Sequence, residues 1–67
     1  MTYYIAWLNG QSVAKGTMRE VELKAREIFS SALWQEFEVP KGPTVLKITR
    51  GPRQLFAKSV ILGGETK

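Results

Sequence analysis

Residues 17–37 read TMREVELKAREIFSSALWQEF, and this stretch decides the fold. Its apolar residues recur at steps of three and four, which is typical of an amphipathic helix. Thr17 and Glu20 have the spacing of a capping box, in which each side chain bonds the backbone N–H of the other residue. Because a helix must end before Pro40, we predict one long helix that begins at Thr17 and ends near Phe37.

Two large apolar residues lie off the main stripe of this predicted helix. Leu23 and Trp34 are separated by eleven positions, so both fall on the side opposite the stripe. They either form an exposed contact surface, or Trp34 folds over the helix end onto Val39 or under the loop 38–43. The sequence favours the second arrangement.

A β-hairpin is predicted before the helix. Residues 2–8, TYYIAWL, are rich in aromatic and β-branched side chains and favour a strand. Asn9-Gly10 is typical of a two-residue type I′ turn. On one face such a turn pairs Leu8 with Gln11, Ala6 with Val13 and Tyr4 with Lys15. On the other face it pairs Trp7 with Ser12 and Ile5 with Ala14. Both faces are apolar, so the sequence leaves open which one meets the core.

A second hairpin is predicted after the helix. TVLKITR (44–50) and QLFAKSVIL (54–62) favour strands on either side of Gly51-Pro52. A two-residue loop would pair Ile48 with Leu55 and Leu46 with Ala57 on the face toward the helix. The other face would then carry Val45, Lys47, Thr49, Gln54, Phe56 and Lys58. Because Gly-Pro is not a standard hairpin turn, a longer loop over residues 50–53 would shift this pairing.

These elements predict an α+β fold of order ββαββ, with one long helix packed on an antiparallel sheet of two hairpins. The 67 residues leave room for one domain, which we place at 1–62, followed by a flexible tail at 63–67. A domain of this size has a thin core. Disulfides are excluded because the chain has no Cys, so a homodimer is one possible source of extra stability.

Charge is distributed unevenly along the chain. Residues 41–67 contain six of the ten basic residues and only one of the six glutamates. The other five glutamates lie between residues 20 and 38, in the predicted helix and just after it. Positive charge is therefore concentrated in the second hairpin, which is informative about partners rather than about the fold.

The composition excludes several kinds of catalytic site. The chain has no His, Cys or Asp, so nucleophilic triads and ordinary zinc sites are excluded. The helix glutamates alternate with Lys and Arg, which predicts a solvated surface rather than a carboxylate pair facing across a cleft. We expect a protein that is not an enzyme and that uses no metal or other cofactor.

The second hairpin gives the leading functional hypothesis, which is nucleic-acid binding. Lys47, Arg50, Arg53 and Lys58 would contact phosphates, and Phe56 or a tyrosine would stack on a base. A two-stranded ribbon also fits the major groove of DNA. This hypothesis requires the four cations to lie together on one accessible surface, and the sequence does not distinguish DNA from RNA.

The alternative hypothesis is a protein–protein interaction module that uses exposed aromatic and apolar residues. Its candidate interface consists of Tyr4, Trp7, Leu23 and Trp34. In its size and its lack of catalytic residues the chain resembles the small accessory proteins of bacteriophages, although no motif carries the resemblance. It implies an inhibitor or adaptor of a host enzyme, or a nucleic-acid-binding protein. No apolar run is long enough to span a membrane, so we expect a cytoplasmic protein.

Overall fold

The structure is a computed structural model that describes residues 2–63. Four strands, β1 (Tyr4–Leu8), β2 (Gln11–Gly16), β3 (Thr44–Arg50) and β4 (Leu55–Leu62), form one antiparallel sheet in the order β2-β1-β3-β4. Two α-helices, α1 (Met18–Phe29) and α2 (Ala32–Phe37), and a 3₁₀ turn (Val39–Lys41) lie between β2 and β3. The predicted α+β class and both hairpins are therefore confirmed. The predicted tail, apart from Gly63, lies outside the described residues.

The helical segment is divided in two, so the prediction of one long helix is wrong. Ser30 ends α1, and Ser31 is the N-cap of α2. The Ser31 hydroxyl accepts a hydrogen bond from the Trp34 backbone N–H (3.3 Å) and donates one to the Ile28 carbonyl (2.7 Å). Serine side chains compete with the helix for backbone hydrogen bonds in this way, and here the competition ends α1 one turn before α2 starts.

The beginning of α1 agrees with the sequence. Thr17 Oγ1 accepts from the Glu20 N–H at 3.2 Å, and Glu20 Oε1 accepts from the Thr17 N–H at 3.0 Å. Both halves of the predicted capping box are thus present. Neither α1 nor α2 is long and apolar enough to cross a membrane.

The core lies between the helices and one face of the sheet. α1 packs across β2, β1 and β3, and it buries Val21 and Ala25 completely. The first hairpin turns Ala6 and Leu8 toward the helices, which resolves the face that the sequence left open. The buried apolar residues are Ala6, Leu8, Val21, Ala25, Trp34, Leu46, Ile48 and Leu62.

Trp34 belongs to this core, as the favoured interpretation of the sequence required. Its side chain is 9 % exposed, and its indole N–H donates to Thr44 Oγ1 at 2.9 Å. The separate course of α2 brings it inward, because on a continuous helix it would face away from the sheet. The break between α1 and α2 also leaves Leu33 exposed. On one continuous helix the steps of three and four residues would have placed Leu33 on the apolar stripe that faces the core.

The first hairpin follows the predicted turn but only part of the predicted pairing. Asn9 and Gly10 both have positive φ (49° and 88°), as a type I′ turn requires. Leu8 pairs with Gln11 and Trp7 with Ser12, as predicted. A β-bulge then shifts the register, so that Ala6 pairs with Ala14, Ile5 with Lys15 and Tyr4 with Gly16. The predicted pairs beyond Trp7 are therefore wrong.

The second hairpin has a longer loop than two residues, and the pairing shifts accordingly. Thr49 pairs with Phe56, Ile48 with Lys58 and Leu46 with Val60, and a bulge at Ala57 separates the first two pairs. The predicted pairs of Ile48 with Leu55 and Leu46 with Ala57 are wrong. As a result Lys58 lies on the helical side of β4, whereas Phe56 lies on the other side.

Candidate functional site

One face of the sheet has no helix packed on it among the described residues, and we call it the open face. Its side chains follow from the strand pairing and from the alternation of residues along each strand. Phe56 and Ile61, both on β4, are 66 % and 65 % exposed. The open face consists of Ile5, Trp7, Ser12, Lys15, Val45, Lys47, Thr49, Phe56, Ser59 and Ile61.

The central strands bring aromatic and basic side chains of this face together. β1 pairs directly with β3, which places Trp7 opposite Lys47 and Ile5 opposite Thr49. On the outer sides of the same sheet, Lys15 pairs with Ile5 and Phe56 pairs with Thr49. Residues from both hairpins thus share one surface, although they are far apart in the sequence.

A hydrogen bond fixes the Trp7 side chain on this surface. Its indole N–H donates to Thr49 Oγ1 at 3.0 Å. Thr49 is only 4 % exposed although it lies on the open face, because the Trp7 and Phe56 side chains flank it. The bond satisfies both polar groups and holds the indole in a single orientation.

Trp7 separates two shallow grooves on the open face. One groove, of about 280 Å³, lies over β3 and is lined by Trp7, Gly10, Val45, Lys47, Thr49 and Gln54. The other, of about 330 Å³, lies over β2 and is lined by Ile5, Trp7, Ser12, Val13, Ala14 and Lys15. Each groove therefore combines the indole with a single lysine, and the groove over β2 has the more apolar lining.

Tyr3 extends the open face at the start of β1. The Lys15 ammonium lies 4.4 Å from the centroid of the Tyr3 ring, which is a cation–π geometry. The ring also lies against Gly51, whose backbone N–H donates to the Tyr3 carbonyl at 2.8 Å. These contacts connect β2, the start of β1 and the loop after β3.

The negative charges are confined to one side of the molecule. All five glutamates within residues 2–63 belong to the helical segment: Glu20, Glu22, Glu27, Glu36 and Glu38. The charged side chains on the open face are Lys15 and Lys47, so within the described part of the chain this face carries positive charge only.

Glu22 illustrates the electrostatics of the helical side. Its Oε2 accepts from the Lys58 ammonium at 3.0 Å and from the Arg26 guanidinium at 3.3 Å. The Lys58 hydrogen bond, with a further contribution from Arg26, lowers the pKa of the Glu22 carboxyl from its ordinary value, and partial desolvation opposes this only in part. Lys58 is therefore paired with a carboxylate of α1, which it shares with Arg26.

The structure divides the residues of the predicted nucleic-acid site. Lys47 and Phe56 lie on the open face, and Arg53 lies in the loop between β3 and β4. Arg50 pairs with Tyr4 and so projects toward the helical side, where Lys58 also lies. The expectation that the cations of this hairpin share one surface is therefore wrong, because the bulge at Ala57 and the alternation of β3 separate them.

The residues of the alternative protein interface are also divided. Trp34 is buried and Tyr4 packs against the core, whereas Trp7 lies on the open face. Leu23 is 58 % exposed on α1, on the opposite side of the molecule. These four residues do not form one surface.

Sequence reasoning did not identify Lys15, Tyr3 and Thr49 as parts of a shared site. Lys15 lies near Trp7 because the bulge in the first hairpin pairs it with Ile5, whereas Thr49 lies near Trp7 because β1 pairs with β3. The sequence contains one sign of this pairing, since Asn9 is a turn residue with a side chain able to bond a neighbouring strand. In the structure Asn9 Oδ1 accepts from the Val45 N–H at 2.8 Å, and the Asn9 N–H donates to the Val45 carbonyl at 3.0 Å.

Within residues 2–63, no three His, Cys, Asp or Glu side chains come together as a metal site. No protein-family model matches the chain, and neither a curated protein nor a solved structure is similar enough to match it.

Proposed function

We propose that this protein binds nucleic acid through the open face of its sheet. The observation that carries the proposal is the combination of Trp7, Phe56, Lys15 and Lys47 on one accessible surface that has no carboxylate within the described residues. Aromatic rings stack on bases, and lysines neutralise phosphates. The two chemistries that a nucleic acid requires are therefore adjacent.

The distribution of charge supports the same conclusion. The helical side mixes the five glutamates with basic residues, namely Arg19, Lys24, Arg26, Arg50 and Lys58, whereas the charged side chains of the open face are lysines. The net charge of +4 favours association with a polyanion in general. A polyanion on the open face meets no carboxylate within the described residues, and this favours that face over the helical side.

This proposal keeps part of the hypothesis drawn from the sequence. Lys47 and Phe56 retain their roles, and Lys15 replaces Lys58, whose charge is paired with Glu22. Arg53 remains a proposed phosphate contact, and it lies in the loop next to Gln54, which lines the groove over β3. Arg50 projects toward the helical side and has no role in this proposal.

The test compares two variants of equal charge. Lys47→Gln removes a cation from the open face, and Arg19→Gln removes one from the exposed surface of α1. Binding of a fluorescein-labelled mixed-sequence oligonucleotide is measured by anisotropy over a range of salt concentrations. Each lost phosphate contact reduces the slope of log K against log salt by about 0.7 for a single strand and about 0.9 for a duplex.

The expected result is weaker binding and a smaller slope for Lys47→Gln, with Arg19→Gln unchanged. Equal effects of the two variants would show that only net charge matters, and would refute a site on the open face. Absence of binding at low salt would refute the function itself.

A further inference from the structure

We infer that the ligand of the open face is a single-stranded nucleic acid whose bases pack against Trp7 and Phe56. The inference rests on the proposed function and adds the form of the ligand. It follows from the width of the face, from the position of β3 within the sheet and from the grooves beside Trp7.

The open face is too wide to enter a groove of duplex DNA. Neighbouring strands lie about 4.8 Å apart, so the outer backbones of four strands are about 14 Å apart before side chains are added. The major groove is about 12 Å wide and the minor groove about 6 Å. A duplex could therefore touch this face only through its phosphates.

A two-stranded ribbon could enter the major groove, but the second hairpin is not free to act as one. β3 is paired with β4 on one side and with β1 on the other, along Tyr4–Leu8. The hairpin could insert as a ribbon only if β1 separated from β3. Because β3 also supplies Leu46 and Ile48 to the core, that separation would disrupt the fold.

The aromatic side chains are positioned for unpaired bases. Two-thirds of Phe56 is exposed, and the residue lies opposite Thr49 in the sheet. Trp7 has a groove on each side, and each groove contains one lysine, Lys47 or Lys15. A base in either groove contacts the indole, and the adjacent ammonium can reach its phosphate. Paired bases present only their edges, so a duplex cannot make these contacts.

The shared chemistry of the ligand is an unpaired base joined to a phosphodiester, which both DNA and RNA supply. Stacking on an aromatic ring is tolerant of sequence because every base has a π face. Recognition of RNA would additionally require a partner for the 2′-hydroxyl. The experiment therefore includes both kinds of strand.

The experiment measures the affinity of the full chain for three probes of equal length, about 15 nucleotides, which is within the span of a small single-strand binding site. The probes are a mixed-sequence DNA strand, the RNA strand of the same sequence, and the DNA strand annealed to its complement. We expect one or both single strands to bind at least ten-fold more tightly than the duplex.

The structure offers a matched pair of variants for the stacking. Phe56 and Ile61 lie on the same strand and the same face, and they are almost equally exposed, but only one has a ring. Phe56→Ala should weaken single-strand binding by about five-fold to one hundred-fold, the range that loss of one stacked base gives. Ile61→Ala should change it less than two-fold, and Phe56→Tyr should retain binding.

The outcomes separate the inference from the proposed function. Equal or tighter binding of the duplex, with Lys47→Gln still reducing the salt slope, would overturn the inference and leave nucleic-acid binding intact. Equal losses for Phe56→Ala and Ile61→Ala would show that the face recognises apolar surface rather than bases, and would also overturn it. Binding of none of the three probes would refute the proposed function together with the inference.

Discussion

The indole N–H of Trp34 donates a 2.9 Å hydrogen bond to the hydroxyl of Thr44, and both side chains are buried. This bond joins α2 to the first residue of β3 within the core. Together with the burial of the Trp34 ring, this hydrogen bond holds α2 against the sheet.

Thr44→Val should destabilise the protein by about 1–3 kcal/mol, because the buried indole N–H loses its acceptor. Thr44→Ser keeps the hydroxyl and is the matched control. The double variant Thr44→Val with Trp34→Phe removes both polar partners, and it should be more stable than Thr44→Val alone. The free energy of unfolding in urea measures all three. Equal stability of Thr44→Val and wild type would contradict the role assigned to the bond.

Trp34→Ala should cost about 3–5 kcal/mol, as truncation of a buried tryptophan does. That is about the whole stability expected for a domain of this length, so the variant should be largely unfolded by circular dichroism at room temperature. A well-folded Trp34→Ala variant would show that the side chain lies outside the core.

Lys58 and Glu22 should make stability depend on pH. The folded protein holds the Glu22 pKa below its ordinary value. The bond to Lys58 therefore stabilises the fold fully at pH values above that ordinary pKa. The stabilisation is lost as the pH falls through the lowered pKa of the folded state. Lys58→Met should therefore be less stable than wild type near neutral pH, by at most about 1 kcal/mol for so exposed a pair.

The difference between Lys58→Met and wild type should disappear in acid, and thermal unfolding at a series of pH values would show it. Lys47→Met, on the open face, is the control and should show no such pH-linked loss. A difference that persisted unchanged below the Glu22 pKa would mean that packing of the Lys58 side chain, rather than its charge, is responsible.

Ser31→Ala should cost about 1 kcal/mol, because α2 loses its N-cap and Trp34 loses a partner for its backbone N–H. Ser30→Ala, at the neighbouring position, removes no side-chain bond of this kind and should change stability little. Urea unfolding of the two variants would compare them directly. A larger loss for Ser30→Ala would contradict the assignment of the cap to Ser31.

Gly51→Ala should destabilise the protein because a Cβ at this position would overlap the ring atoms of Tyr3. Crowding of this kind costs about 1–3 kcal/mol. Removing the ring should relieve it, so Tyr3→Ser with Gly51→Ala should be more stable than the sum of the single losses predicts. Strict additivity in a double-mutant cycle would show that the ring is not the obstacle.

The sequence predicted those parts of the fold that depend on local chemistry. The capping box at Thr17, the turn at Asn9-Gly10 and the alternation of β3 all involve residues close together in the chain, and all were confirmed. The break at Ser30-Ser31 was also a local feature, but the apolar periodicity continues through it. Periodicity therefore predicted a continuous helix where the Ser31 hydroxyl caps a new one.

The candidate site was harder to predict because it depends on strand order and on bulges. Pairing of β1 with β3 places Trp7 opposite Lys47, and neither the propensity nor the periodicity of the two segments indicates that they are neighbours. The bulges shift the pairing in both hairpins, and in β4 the shift moves Lys58 to the helical side. A shift of one residue exchanges the two faces of a strand, so a small local irregularity had a large effect on the predicted surface.

Ala57 has a consequence for how this surface tolerates a change in chain length. In a strand of strict alternation Phe56 would point the same way as Lys58, Val60 and Leu62, which is toward the helices. The additional residue of the bulge reverses the direction of Phe56, and of Leu55 before it, and leaves the inward residues of β4 after the bulge in place. A single-codon deletion at Ala57 would make Phe56 and Lys58 neighbours in a regular strand, so Phe56 would still point outward and Lys58 inward. The exposed ring and the core should therefore both tolerate the loss of this one residue of chain length.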